Sequence, residues 1–292
     1  MRRIIVSLSA MLLVAACAAP TDRAAGPGTP VRASIINPDV DLVGSPDLIV
    51  HEPIMKQQWV VRDENLPANF CSVIEGGVTP GVRRLVRFTV MTPNIGDADV
   101  FIGNPHDYVD AAGNSDLFEF ADCHAHYHFK HYATYELVDM SGNVWRAAKR
   151  GFCMLDTDPA PSYMHDEHGE KNYLSCGSLR SAGFQGVSGG WSDTYRFTLG
   201  GQYFILDGGD GQPVVPPGDY IIRITVNPGY APIKGKCPRA QDPATGLCHQ
   251  FAESDYSNNV GQVVINIPET IGRGGHGPAS GSEIPKTEPA EH

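Results

Sequence analysis

Three stretches of strict apolar and polar alternation constrain this chain most: Val86, Phe88 and Val90 against Arg87 and Thr89; Tyr220, Ile222, Ile224 and Val226 against Arg223 and Thr225; Val263, Ile265 and Ile267 against Asn266. A period of two puts every apolar side chain on one face of an extended strand, so each stretch predicts a half-buried β-strand. Turn-forming runs separate the strands, at 94–96, 141–143, 208–211 and 216–219. The chain holds 32 Gly and 23 Pro and only 19% charged residues, which suits short strands and turns and disfavours a helical bundle. No amphipathic helix of useful length is visible, so the expected fold is all-β, an antiparallel β-sandwich with long loops.

Both ends depart from that pattern. Arg2 and Arg3 precede an apolar run from Ile4 to Ala16 that is too short to span a bilayer, which predicts an export signal over 1–16. Val14-Ala15-Ala16-Cys17 resembles a bacterial lipobox, so Cys17 is the expected lipidation site and the membrane a partner through that lipid. The expected location is the cell envelope, lipid-anchored, facing the periplasm or the cell surface. Residues 17–33 predict a flexible tether, 34–270 the folded domain, and 271–292 a disordered tail. The formal charge of −11 repels phosphate backbones, which argues against a nucleic-acid partner and favours cationic ones.

Export implies an oxidising compartment, where Cys71, Cys123, Cys153, Cys176, Cys237 and Cys248 are expected to form disulfides. Six cysteines allow fifteen pairings. Cys237 with Cys248, closing a Pro- and Gly-rich loop, is the simplest of them.

The sharpest motif is Asp122-Cys123-His124-Ala125-His126-Tyr127-His128-Phe129. A random chain with 11 His in 292 residues would hold about 0.015 such alternating triplets. On a strand, alternate residues share a face with Cα atoms about 6.6 Å apart, so three imidazoles converge while Tyr127 and Phe129 turn the other way. Three neutral imidazoles suit Cu(II), Zn(II) or Fe(II) and leave a coordination position open for chemistry. The competing reading is a solvated histidine ladder without metal. His131 has the opposite parity. His165 and His168 could hold a second metal, although a hydrated loop is the simpler account.

These elements, taken in order, resemble the lysyl oxidases, copper amine oxidases that carry a quinone built from their own side chains. The resemblance runs from Pro46-Asp47-Leu48-Ile49-Val50 through Phe70-Cys71, Arg84-Leu85-Val86-Arg87-Phe88 and the histidine motif. It continues through Lys149-Arg150-Gly151-Phe152-Cys153 and Ser192-Asp193-Thr194-Tyr195 to Glu253-Ser254-Asp255-Tyr256-Ser257-Asn258-Asn259. It implies that His124, His126 and His128 bind Cu(II), and that Lys149 and Tyr195 fuse into lysine tyrosylquinone. It further implies oxidation of primary amines, peptidyl lysine or small amines, to aldehydes by O2, with release of ammonia and hydrogen peroxide. Asp193, beside Tyr195, is the candidate general base. Asp47, Asp255, Asn258 and Asn259 match positions that hold Ca2+ in the family, and hard oxygen donors suit that ion. By the same analogy Cys123 pairs with Cys176, which leaves Cys71 with Cys153. Without the resemblance, Lys149 reads as a solvated lysine and Tyr195 as a strand tyrosine. Two rival functions stay open: a mononuclear metal enzyme using only the histidines, and an envelope lipoprotein that sequesters copper or serves as a Ca-stabilised adhesion module.

Overall fold

The computed structural model describes residues 43–149, 151–283 and 285. The expected signal peptide, the lipidation site Cys17 and the tether 17–33 lie outside the described residues.

The alternating stretches become strands of antiparallel sheets. The largest sheet orders Val260–Ile267, Gly218–Val226, Ala133–Asp139 and Val144–Arg146 side by side. Along its two longest strands Tyr220, Ile222, Ile224, Val226, Val263, Ile265 and Ile267 are buried, as the alternation requires. A second sheet joins Trp59–Leu66, Gly81–Phe88 and Tyr203–Ile205. A third joins Val90–Pro93, Trp191–Tyr195 and Asp158–Pro159. The main apolar cluster joins these sheets: Phe88 stacks on Phe204 at 4.8 Å and meets Tyr135 of the largest sheet edge-on at 5.5 Å. Helix is confined among the described residues to Glu52–Gln57, Cys71–Gly76 and one short turn at Pro105–Asp107. The architecture is all-β, antiparallel and disulfide-containing.

Two local expectations are corrected. The first stretch is not one half-buried strand: it breaks at Thr89, whose N–H and hydroxyl both donate to Gln58, and the chain then changes sheets. Nor does Arg87 face water. It is 2% exposed and forks onto the equally buried Glu64, with Nε to Oε1 at 2.8 Å and Nη2 to Oε2 at 2.9 Å. Arg62 contacts the same carboxylate from the other side. Alternation sees only hydropathy and cannot distinguish a solvated arginine from one neutralised in the interior.

The expected tail also carries structure. His276 exchanges backbone hydrogen bonds with Val61, and the Ala279 N–H donates to the Trp59 carbonyl. Gly275 and Gly277 make this approach possible, since a Cβ on either would lie 2.7 Å from Val60 or Trp59 atoms. Composition flagged these glycines as disorder; here they serve close packing.

Candidate metal and amine centre

The histidine motif is half turn and half strand. Residues 122–125 form a turn, with Ala125 at φ 57°, and the strand begins only at His126. Strand parity therefore aligns His126 and His128, whereas His124 reaches them through a left-handed residue. Ring centroids are 5.1 Å apart for 126 and 128, 5.2 Å for 124 and 128, and 5.5 Å for 124 and 126. The Nε2 atom of each ring is shielded from solvent. The rings cluster, but the ligand atoms of His124 and His128 converge with Glu75, and His126 is not in that converging set; imidazole nitrogens of this kind suit a soft or borderline metal ion.

Sequence reading missed Glu75. It lies on the Cys71–Gly76 helix, its Oε2 is 2.7 Å from His124 Nδ1, and its Oε1 accepts the Cys123 N–H at 3.1 Å. Burial disfavours its charge, yet the hydrogen bonds from His124 and the Cys123 N–H outweigh that and hold the carboxyl below the ordinary range. Glu75, His124 and His128 are the one set of three His, Cys, Asp or Glu residues with converging ligand atoms among the described residues.

The disulfides correct the expected pairing. Cys71 joins Cys123 with Cα atoms 5.4 Å apart, and Cys153 joins Cys176 at 5.5 Å. Cys237 joins Cys248, as anticipated. The reason is topological. Phe129 N–H donates to the Phe152 carbonyl and Tyr127 N–H to the Gly177 carbonyl, so residues 152 and 177 flank one edge of the histidine strand and their cysteines meet there. Cys123 instead faces the Glu75 helix.

The same edge brings Lys149 and Tyr195 together. Tyr195 is fully buried, and its hydroxyl is clamped by Cys153, donating to the carbonyl at 2.7 Å and accepting the N–H at 2.8 Å. Lys149 is 8% exposed, with Nζ 4.7 Å from the Tyr195 ring centroid and 5.3 Å from that of Phe152. A small recess is lined by Glu75, His124, His128, Lys149, Gly151 and Gly201. Arg87 holds the far wall, donating to the Phe197 and Leu199 carbonyls just before Gly200 and Gly201.

Asp193 shares a strand face with Tyr195 and is fully buried. Burial pushes its carboxyl well above the ordinary carboxylate range, against the pull of the Lys149 charge. His131 is exposed. His165 contacts the Glu167 carbonyl, and His168 packs edge-on against Trp191 at 5.0 Å; neither joins a converging ligand set among the described residues.

The acidic turn near the chain's end is assembled differently from its sequence outline. Asp47 Oδ1 accepts from Asn258 Nδ2 at 3.0 Å, while Asp255 is exposed and accepts the Ser257 N–H at 2.7 Å. Asp47 is buried, and so is a second carboxyl there, Glu253, which was not singled out. It accepts from Leu48 N, Asn227 Nδ2 and Asn259 Nδ2, and burial drives it up to about 7 against those hydrogen bonds. The Oδ1 atoms of Asn258 and Asn259 are shielded and accept no hydrogen bond among the described residues, which fits an oxygen-seeking cation.

Comparison with known proteins matches residues 49–234 to the family model described as lysyl oxidase. Lysyl oxidase homolog 2 of Gallus gallus is 30% identical over 228 residues, 74% of this chain and 24% of the relative. Lysyl oxidase homolog 3B of Danio rerio is 30% identical over 224 residues, 73% and 22% respectively. Lysyl oxidase homolog 2 of Homo sapiens is 28% identical over 228 residues, again 74% and 24%. The chain thus spans about a quarter of the length of the curated relatives it matches.

Proposed function

Because the chain belongs to the lysyl oxidase family, we propose that it is a copper- and quinone-dependent oxidase of primary amines, releasing aldehyde, ammonia and hydrogen peroxide. The observation that carries this reading is the placement of the Lys149 amine 4.7 Å from the Tyr195 ring, with Lys149 also lining the recess that His124 and His128 line. His124, His126 and His128 would hold Cu(II), which with O2 supplies the oxidation of the Tyr195 ring, and the quinone joined to Lys149 supplies the electron sink for amine oxidation.

The chain's own residues orient and move protons. Cys153 fixes the Tyr195 hydroxyl from both sides and so fixes the ring that the Lys149 amine overlies. Phe152 places its ring 5.3 Å from the Lys149 amine, an apolar neighbour to the pair. Lys149 is a nucleophile only after losing a proton, and the buried Asp193, on the same strand face as Tyr195, is the acceptor in this reading. The formal charge of −11 attracts cationic amines.

Three disulfides support an oxidising compartment, and with the amino-terminal signal they favour the cell envelope, with a lipid on Cys17 as membrane anchor. Asp47 and the Asn258 and Asn259 carbonyl oxygens, with Asp255 at the rim, would take Ca2+ as a structural ion.

The test is Tyr195→Phe in copper-loaded protein. The variant should keep its copper but lose hydrazine-reactive absorbance and amine-dependent peroxide; a variant that still oxidises amines refutes the quinone assignment.

A further inference from the structure

We propose that Glu75 is a positioning residue that fixes His124 in its Nδ1–H tautomer and so directs the Nε2 lone pair to the metal. The inference rests on the copper reading above.

The three histidines are not equally held. His126 and His128 belong to a strand paired with Phe118–Ala121, so backbone ladders set their directions. His124 lies in a turn, one residue before the left-handed Ala125, and no ladder orients it. Glu75 supplies what the backbone lacks. Oε1 already accepts the Cys123 N–H, and Oε2 of the same carboxyl lies 2.7 Å from Nδ1 as the second acceptor, which places the ring proton on Nδ1. The neutral ring then presents its lone pair at Nε2, the shielded atom. A carboxylate on the distal nitrogen of a metal-bound imidazole fixes its tautomer and raises its basicity.

The chain also keeps the carboxylate in place. Its second oxygen takes the Cys123 N–H, the residue next to His124, and Cys123 is bonded to Cys71 at the start of the helix that carries Glu75. Helix, turn and imidazole therefore move together. Two donors are met by two acceptor oxygens, and glutamine offers only one. Glu75→Gln must leave either the Cys123 N–H or the His124 Nδ1–H opposite an amide donor.

The experiment compares wild type, Glu75→Gln and Glu75→Asp as full chains with intact disulfides. Long-range nitrogen–proton correlation spectra of the metal-free protein report the His124 tautomer. Competition with a chromogenic chelator reports Cu(II) affinity, and electron paramagnetic resonance reports the copper environment. Wild type should show Nδ1–H at His124, and Glu75→Gln a mixture of tautomers, copper affinity lower by about 10- to 100-fold and altered copper hyperfine splitting. Glu75→Asp, which keeps both acceptors on a shorter arm, should fall between the two. Wild-type affinity and spectrum in Glu75→Gln, or an Nε2–H tautomer in metal-free wild type, overturns the role of Glu75 and leaves the copper reading intact. A wild type that binds no copper overturns both. Should Glu75→Gln fail to fold, the tautomer of the wild type decides by itself.

Discussion

Gly151 lies against the face of His128 so closely that a methyl group on its Cα would overlap the imidazole at Nδ1. The family of conformations open to glycine is not the reason for glycine here; the missing side chain is. Gly151→Ala should therefore push His128 out of the cluster while leaving the strand Phe118–Ala121 and its partner paired. Copper content should fall, and amine turnover should drop by roughly 100-fold, the usual consequence of an ångström-scale displacement in a catalytic constellation. Metal analysis alongside an amine-dependent peroxide assay checks this. Unchanged copper in a folded variant would mean that the ring position is not set by residue 151.

Glu64 neutralises Arg62 and Arg87 inside the second sheet, and Arg87 in turn holds the Phe197 and Leu199 carbonyls. Removing one member of a buried charge group costs about 3–5 kcal/mol, because the remaining charges stay buried. Glu64→Ala is expected to lose stability in that range in denaturant titrations. It should also loosen the 197–201 wall of the Lys149 recess, read as raised hydrogen exchange there.

Glu253 gives the metal-free protein a pH dependence. Its carboxyl sits at about 7 in the folded state, chiefly through burial, against an ordinary value of 4.5. The folded state thus binds a proton that the unfolded chain has lost. The associated stability is complete below about 4.5 and disappears as pH rises through about 7, a loss of about 3 kcal/mol. Urea unfolding in chelator should show stability falling across that window, and Glu253→Gln should flatten the slope. Added Ca2+ should restore stability at the upper end, where the carboxylate is charged.

Much of this was legible in sequence because its signals are periodic. The strands Gly218–Val226 and Val260–Ile267 follow from alternation, and the three histidines from their spacing. What escaped depends on long-range neighbours. Arg87 reads as a surface residue until Glu64 arrives from the adjacent strand. Glu75 has no local signature, since its role comes from a turn 49 residues away. The pairing of Cys71 with Cys123 and of Cys153 with Cys176 follows from which segments flank the histidine strand, and that is a property of the folded topology. The left-handed Ala125 escaped for another reason: a motif with strand-like spacing need not be strand throughout.

The central claim is that Lys149 and Tyr195 become one electrophile beside the copper site. Peptide mass spectrometry of the copper-loaded, aerated protein tests it most directly. The account predicts a cross-linked peptide pair containing both residues, absent from Lys149→Arg, whose guanidinium does not give up its proton to add to the ring. Recovery of Lys149 and Tyr195 in separate, unmodified peptides from protein with a full complement of copper would contradict it.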